Sequence, residues 1–403
     1  MTTIRSYLPC MRLRIASCSF EPIVIASIMH KDSPLAIYVH WPFCKKKCPY
    51  CDFNSHVRDN VDHAAWHSAL LKELEYWRAQ TADHRVVSIF FGGGTPSLME
   101  PSTIEAIINA VRDGWACDED IEITMEANPT SVEAAKFRDV AAAGVNRLSL
   151  GVQSLKAESL AFLGREHSAD EALKALEFAA QYFPRYSFDM IYALPHQTLA
   201  AWESELREAL TYARGHLSLY QLTIEENTAF HHAYHVKKEF ALPPEPIAAE
   251  MYETTQTIMN AAGLPAYEIS NHAAAGHASR HNLAYWRAEA YLGIGPGAHG
   301  RVDIADHRIA TRNLKSPERW LEVTTNNGNG VEEALTLTAQ ERTEEQVLMG
   351  LRLIEEGIDA TLVSAAKTAP LIAQQLLQQN GDTIRVTPKG TLLLNSIIEK
   401  LLT

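Results

Sequence analysis

From Leu35 onward the chain alternates short runs rich in β-branched and aromatic residues with stretches whose apolar residues recur at helical spacing. The runs fall at 35–40, 86–91, 121–127, 146–150, 186–192 and 217–224, and helical patterns separate them at 62–80, 101–115, 131–143, 156–182 and 198–214. Six strand-then-helix units predict an α/β fold, a partial parallel (β/α)6 barrel of the TIM-like kind. Beyond residue 230 the pattern loosens. A proline-punctuated region leads to a helix near 245–262 and then to a glycine-rich connector, Gly293 to Gly300. A helical module follows from about 316, with Thr338-Ala339-Gln340-Glu341 as a helix start, a short strand at Thr383 to Val386 and a last helix to Leu402. The expected division is a barrel over 34–230, a connecting region over 231–315 and a small helical, winged-helix-like domain over 316–403.

The polar and glycine features are not scattered over this pattern. A cysteine loop follows the first run and Gly92-Gly93-Gly94-Thr95-Pro96 follows the second; Glu126 ends the third and Gln153 follows the fourth. Asp189 lies within the fifth and Tyr220-Gln221 within the sixth. In a parallel barrel these ends share one face, which is where such folds build ligand sites.

Composition narrows the function classes. The 46% hydrophobic and 21% charged shares belong to a globular protein, and no apolar run reaches the roughly 18 residues of a membrane helix. A net charge of −13 argues against nucleic acid as a partner, since phosphate recognition relies on clustered cations. Residues 1–33 read as an N-terminal extension: Arg5, Arg12 and Arg14 precede the first acidic residue, Glu21, as in an organellar presequence, but without an apolar core or cleavage signal. A start near Met29 is the expectation, with 1–28 outside the fold.

Three of the six cysteines, Cys44, Cys48 and Cys51, crowd into eight residues, which fits a metal site in a reducing compartment such as the cytosol. Cys10, Cys18 and Cys117 read as isolated thiols. Three thiolates leave one position of a four-coordinate centre unfilled, so Cys-x-x-x-Cys-x-x-Cys predicts a 4Fe-4S cluster with an open iron. Zinc, with His40 or His56 as fourth ligand, is the alternative. The run Lys45-Lys46-Lys47 is a solvated loop or an offset to the thiolate charge.

The cysteine spacing after a first strand resembles the radical S-adenosylmethionine (SAM) superfamily. Together with Tyr38-Val39-His40-Trp41-Pro42-Phe43, Gly151-Val152-Gln153-Ser154 and Asp189-Met190-Ile191-Tyr192-Ala193-Leu194-Pro195, it is similar to the branch that contains oxygen-independent coproporphyrinogen III oxidase and heme chaperones, over residues 35 to about 400. The resemblance implies a SAM held at the open iron by its amino and carboxylate groups and an electron donor able to drive its cleavage, although cleavage itself stays open. It further implies that Gly93, Gly94 and Thr95 approach the amino acid end, that Tyr38 and Tyr50 pack near the cluster, that Glu126 serves ribose hydroxyls, and that Gln153, Arg165 and Asp189 line a second nucleoside or substrate site.

Two features separate the branches. The oxidase resemblance demands a fourth cysteine two residues past the third, where this chain has Phe53. His281-Asn282-Leu283-Ala284-Tyr285-Trp286 is similar to a motif of the chaperones, and implies His281 as a heme contact. His272 and His277 supply an additional ligand or none, and His231, His232 and His235 read as a solvated loop. The expected function is a radical SAM-type heme chaperone that passes heme to acceptor hemoproteins, with the oxidase as alternative and a zinc scaffold as a third class. A homodimer is left open.

Overall fold

The computed structural model describes residues 32–403. The arginine-bearing stretch 1–28, the expected start at Met29, and Cys10 and Cys18 lie outside those residues. Seven parallel strands form the centre of the molecule: β1 (Pro34–Trp41), β2 (Arg85–Gly93), β3 (Ala116–Ala127), β4 (Arg147–Gln153), β5 (Arg185–Tyr192), β6 (His216–Gln221) and, out of sequence order, Ala290–Ile294. A short strand β7 (Asn271–Ala273) pairs antiparallel with β6. The strand Ala290–Ile294, here β8, lies on the free side of β1 with Tyr38 opposite Gly293. An antiparallel meander of β9 (His299–Ile304), β10 (His307–Asn313) and β11 (Val331–Thr336) continues from β8. The sheet order β11-β10-β9-β8-β1-β2-β3-β4-β5-β6-β7 therefore ends in two free edges, and the barrel is partial.

The six expected strands are all present, and the helices between them close to the expected bounds. Two helical patterns break. The stretch expected at 131–143 is two short helices, Ser131–Ala134 and Phe137–Ala142, and that at 156–182 is Ala157–Phe162 followed by Ala169–Tyr182. The second break occurs at Gly164, whose φ of +65° favours glycine and whose missing Cβ would stand 2.7 Å from Cδ of Pro49. The helix yields there to let the cysteine loop pack. The expected connector at 293–300 is the end of β8, a tight turn and the start of β9, because the backbone of His299 lies where a Cβ on Gly293 would stand.

Strand residues alternate between two environments, as the two-residue period requires. On β5, Tyr186, Phe188 and Met190 enter the apolar layer under the helices, while Ser187 and Asp189 point into the barrel with polar neighbours. That interior holds a buried network in which Glu122 faces Arg185 at 3.1 Å and Arg147 at 3.9 Å. A second apolar core, from Val347 to Leu401, belongs to the C-terminal module of helices Ala339–Gly350, Ala365–Ala373 and Leu394–Leu402 around a small antiparallel sheet. Its first helix opens with the capping box that Thr338 and Glu341 encode. Helix Pro317–Asn327 instead packs on the main sheet's helix His63–Thr81, with Trp320 stacked on Trp66 at 5.2 Å. Among the described residues no helix is long and apolar enough to cross a membrane.

Candidate functional site

The cysteine loop is held by its flanks rather than by regular structure of its own. His40, at the end of β1, receives or donates bonds on both ring nitrogens, Nδ1 with the Tyr38 hydroxyl and Nε2 with the Asn54 carbonyl, each 2.9 Å. Asn54 in turn donates through Nδ2 to the carbonyls of Pro296 at 3.0 Å and Lys315 at 2.9 Å. The far end of the loop is thereby fastened to the turn after β8. Residues Phe43–Cys44 also pair with His56–Val57 in a short parallel ladder that closes the loop.

Gly94 and Thr95 line the other wall. The Gly94 amide donates to the Trp41 carbonyl at 2.7 Å and the Thr95 amide to the Phe43 carbonyl at 2.9 Å. A Cβ on Gly94 would lie 2.7 Å from the Phe43 oxygen and 3.0 Å from the Cys44 sulfur, so glycine is what allows this contact. The Gly93 amide donates to Oε2 of Glu126 at 3.1 Å. Burial, reinforced by the neighbouring Asp189 carboxylate, pushes Glu126 up to about 7. Asp189 is raised in the same direction, chiefly by burial.

Arg165 crosses from the helix break to the thiols. Its Nη1 lies 3.3 Å from the Cys48 sulfur and 3.4 Å from the Tyr50 hydroxyl, and its Nη2 donates to Asn128 Oδ1 at 2.6 Å and to the Gly151 carbonyl at 2.8 Å. These residues border one cavity of about 800 Å³. Cys44, Cys48, Tyr50, Cys51, Gly93, Gly94, Thr95, Glu126, Gln153, Arg165 and Asp189 all contribute to its wall, together with Tyr220 and Gln221. Every strand end expected on one face is there. Tyr38 stands behind the wall, supporting His40 and the backbone at Gly92.

His281 is placed differently from the expectation. It is fully buried, its Nδ1 3.0 Å from Ser88 Oγ and its ring stacked on Phe90 at 4.8 Å, with Tyr38 and Tyr285 as further neighbours. Its amide donates to Glu122 at 3.3 Å, and burial lowers its basicity to about 3. The residue sits beneath the cavity, and only Trp286 of that motif reaches the wall. His272 is also buried, with burial lowering it to about 4. The sequence reading missed Asn54 and Asn128, which anchor the loop and the arginine. It also missed Tyr252, Glu268 and Arg352, which close the cavity's far side.

The donor set fits an iron-sulfur cluster better than a single ion. A structural zinc is closed by four protein ligands, and this loop supplies three thiols. A cubane asks each thiolate for a different iron. His40 has both nitrogens engaged, and His56 turns Nε2 toward Asn54 Oδ1 at 3.3 Å. Burial pushes the Cys44 thiol up to about 11, with the Cys51 and Cys48 thiols adding to the shift, so taking up iron displaces a proton there.

A parallel half-barrel that presents three such thiols beside a deep cavity at its strand ends defines a radical SAM domain. Residues 38–209 match the Radical SAM superfamily, and residues 337–393 match the HemN C-terminal domain. The chain is 38% identical to heme chaperone HemW of Escherichia coli, over 92% of this chain and 99% of that one. It is 42% identical to the mitochondrial radical S-adenosyl methionine domain-containing protein 1 of Mus musculus, over 79% and 73% respectively. In fold it is similar to coproporphyrinogen III oxidase (HemN) of Escherichia coli, with a TM-score of 0.77 at 23% identity, covering 92% of this chain and 91% of that one. The chain belongs to the radical SAM superfamily, in its HemW/HemN-like family, and membership implies SAM and a 4Fe-4S cluster.

Proposed function

We propose that this chain is a radical SAM-type heme chaperone, which binds a 4Fe-4S cluster, SAM and heme and delivers heme to acceptor hemoproteins. The observation that carries the reading is at position 53, two residues past Cys51. There Phe53 lines the cavity with an apolar ring, where the oxidase resemblance calls for a fourth cysteine. Relatives that carry the name heme chaperone HemW align along nearly their whole length, which supports the same choice.

In this reading Cys44, Cys48 and Cys51 hold the cluster, which when bound supplies an open iron for the amino acid end of SAM. The amides of Gly93, Gly94 and Thr95 are already bonded inside the protein, so this corner offers carbonyl oxygens to the ligand's ammonium group. Glu126, raised by its burial, accepts hydrogen bonds from ribose hydroxyls, and Asp189, Gln153 and Arg165 receive the nucleoside or cargo beyond it. Tyr50 and Arg165 screen the thiols from water, and Tyr38 fixes His40 and thus the loop. His281 would meet a heme iron through Nε2, since its Nδ1 is bonded to Ser88, and its full burial means that the packing around it has to open first. A reducing compartment and a reducing partner protein complete the proposal, the cytosol being the default for the first.

The test is anaerobic reconstitution, iron and sulfide analysis, and titration with heme. The chaperone reading expects close to four irons per chain and saturable heme uptake near one per chain. Stoichiometric release of carbon dioxide from coproporphyrinogen with SAM consumption would replace it with the oxidase.

A further inference from the structure

We propose that Glu133, a buried carboxylate behind the cavity wall, is a positioning residue for the thiol site: it fixes which way the Asn128 carboxamide faces, and through Asn128 it holds Arg165 on Cys48 and Thr95 on Cys44. The inference rests on the three-cysteine cluster of the reading above and is independent of heme.

Asn128 follows β3 directly, and helix Ser131–Ala134 turns the chain back toward it. Thr130 caps that helix by accepting from the Glu133 amide at 3.3 Å, and the Glu133 side chain, 3% exposed, comes to rest against the residue five positions earlier. There the carboxylate gathers donors. Its Oε2 accepts from the Asn128 amide at 2.8 Å and from Ser97 Oγ, and its Oε1 accepts from Asn128 Nδ2 at 3.3 Å. Ser97 belongs to the turn that follows Gly93, Gly94 and Thr95, so Glu133 fastens the end of β2 to the end of β3.

The Asn128 carboxamide is aimed by its neighbours. Its Nδ2 side meets Glu133, which as an anion only accepts, and its Oδ1 side meets the Arg165 guanidinium, which only donates, at 2.6 Å. Nδ2 also donates to Thr95 Oγ1 at 3.2 Å, which leaves the Thr95 hydroxyl hydrogen for its bond to the Cys44 thiol. Arg165 carries the other arm, to the Cys48 sulfur at 3.3 Å. One carboxamide, oriented by Glu133, therefore supports a hydrogen bond to each of two cysteine sulfurs. Such bonds stabilise the negative charge a cluster gains on reduction.

The variant E133Q separates aim from charge. The Asn128 main-chain amide cannot turn, so the new side chain keeps its oxygen there and sets its NH2 against Nδ2. The Asn128 carboxamide then has to reverse, which puts its NH2 before the Arg165 guanidinium and its oxygen before Thr95. Both bonds to sulfur weaken together.

Reconstituted holoprotein of wild type, E133Q, R165Q and the E133Q/R165Q double variant is titrated potentiometrically, with electron paramagnetic resonance as the readout. E133Q is expected to lower the midpoint potential by at least about half the shift that R165Q produces, and the double variant to fall clearly short of the sum of the two. A carboxylate that acts only by its charge gives the opposite sign, because neutralising an anion near the cluster eases reduction. E133D keeps the charge but draws it back by one methylene, and is expected to lower the potential as well; it decides the matter where E133Q loads too little cluster to titrate. A rise or no change in E133Q, additive shifts in the double variant, or a wild-type potential in E133D would overturn the positioning role. Wild-type protein that takes up no iron and sulfide would overturn the cluster reading itself.

Discussion

The guanidinium of Arg165 stands 3.3 Å from the sulfur of Cys48, bridging a helix break on one side of the cavity to a thiol on the other. A fixed cation beside a cysteine ligand stabilises added negative charge on the centre that ligand holds. Replacing it by glutamine, which keeps hydrogen bonding but not charge, is expected to lower the cluster's reduction potential, by roughly 60 mV or less. Potentiometric titration followed by electron paramagnetic resonance checks the sign. A lysine there should restore part of the shift, because charge returns without the bidentate hold on Asn128 and Gly151.

Gly94 allows the backbone to approach Cys44. Alanine would put a methyl carbon 2.7 Å from the Phe43 oxygen and 3.0 Å from the cysteine sulfur, with the backbone unable to give. G94A is expected to cost about 1–3 kcal/mol and to lower iron and sulfide content well below wild type, while the far-ultraviolet circular dichroism of the fold persists. Full iron loading of G94A would refute the contact.

Glu73 is a buried carboxylate far from the chemistry that fastens four donors. It accepts from the Gly295 amide at 2.7 Å, the Gly330 amide at 2.8 Å, Asn313 Nδ2 at 3.1 Å and Trp320 Nε1 at 3.3 Å. E73L leaves the Gly295 and Gly330 amides and the Trp320 indole without this acceptor, while Asn313 keeps its bond to the Gly295 carbonyl, and should destabilise by about 3 kcal/mol or more in denaturant titration. E73Q keeps one oxygen for the three donors now on Oε1 and should be the milder change.

Acid should weaken the fold through buried imidazoles. His272 is lowered to about 4 from 6.5 by burial, so between those values the folded chain binds fewer protons than the unfolded one. Stability from this group is therefore full above 6.5 and declines as pH falls toward 4. H272Q is expected to flatten the acid limb of stability against pH by up to about 1.4 kcal/mol per unit in that window. Parallel curves for wild type and variant would show that His272 does not contribute.

Much of the site could be read from the chain because its parts are local. Cys44, Cys48 and Cys51 share one loop, and Gly93, Gly94 and Thr95 follow one strand, so their spacing alone exposes them. The Thr338 capping box is local in the same way. What the sequence hid are relationships across long separations. Arg165 meets Cys48 across 117 residues and Asn54 meets Lys315 across 261. Strand β8 was concealed by Gly293, which reads as part of a connector yet is required by the His299 backbone packed against it. The motif marks His281, whereas its Ser88 bond and aromatic neighbours are visible only once β2 and the helix Arg280–Trp286 are brought together.

Asn54, tied to the carbonyls of Pro296 and Lys315, sets an order on biosynthesis. The cysteines emerge early from the ribosome, but the clasp that secures their loop is complete only after residue 315 has left the exit tunnel. Iron-sulfur delivery to a nascent chain stalled before that point would meet an unlatched loop, so maturation of the metal centre belongs at the end of translation.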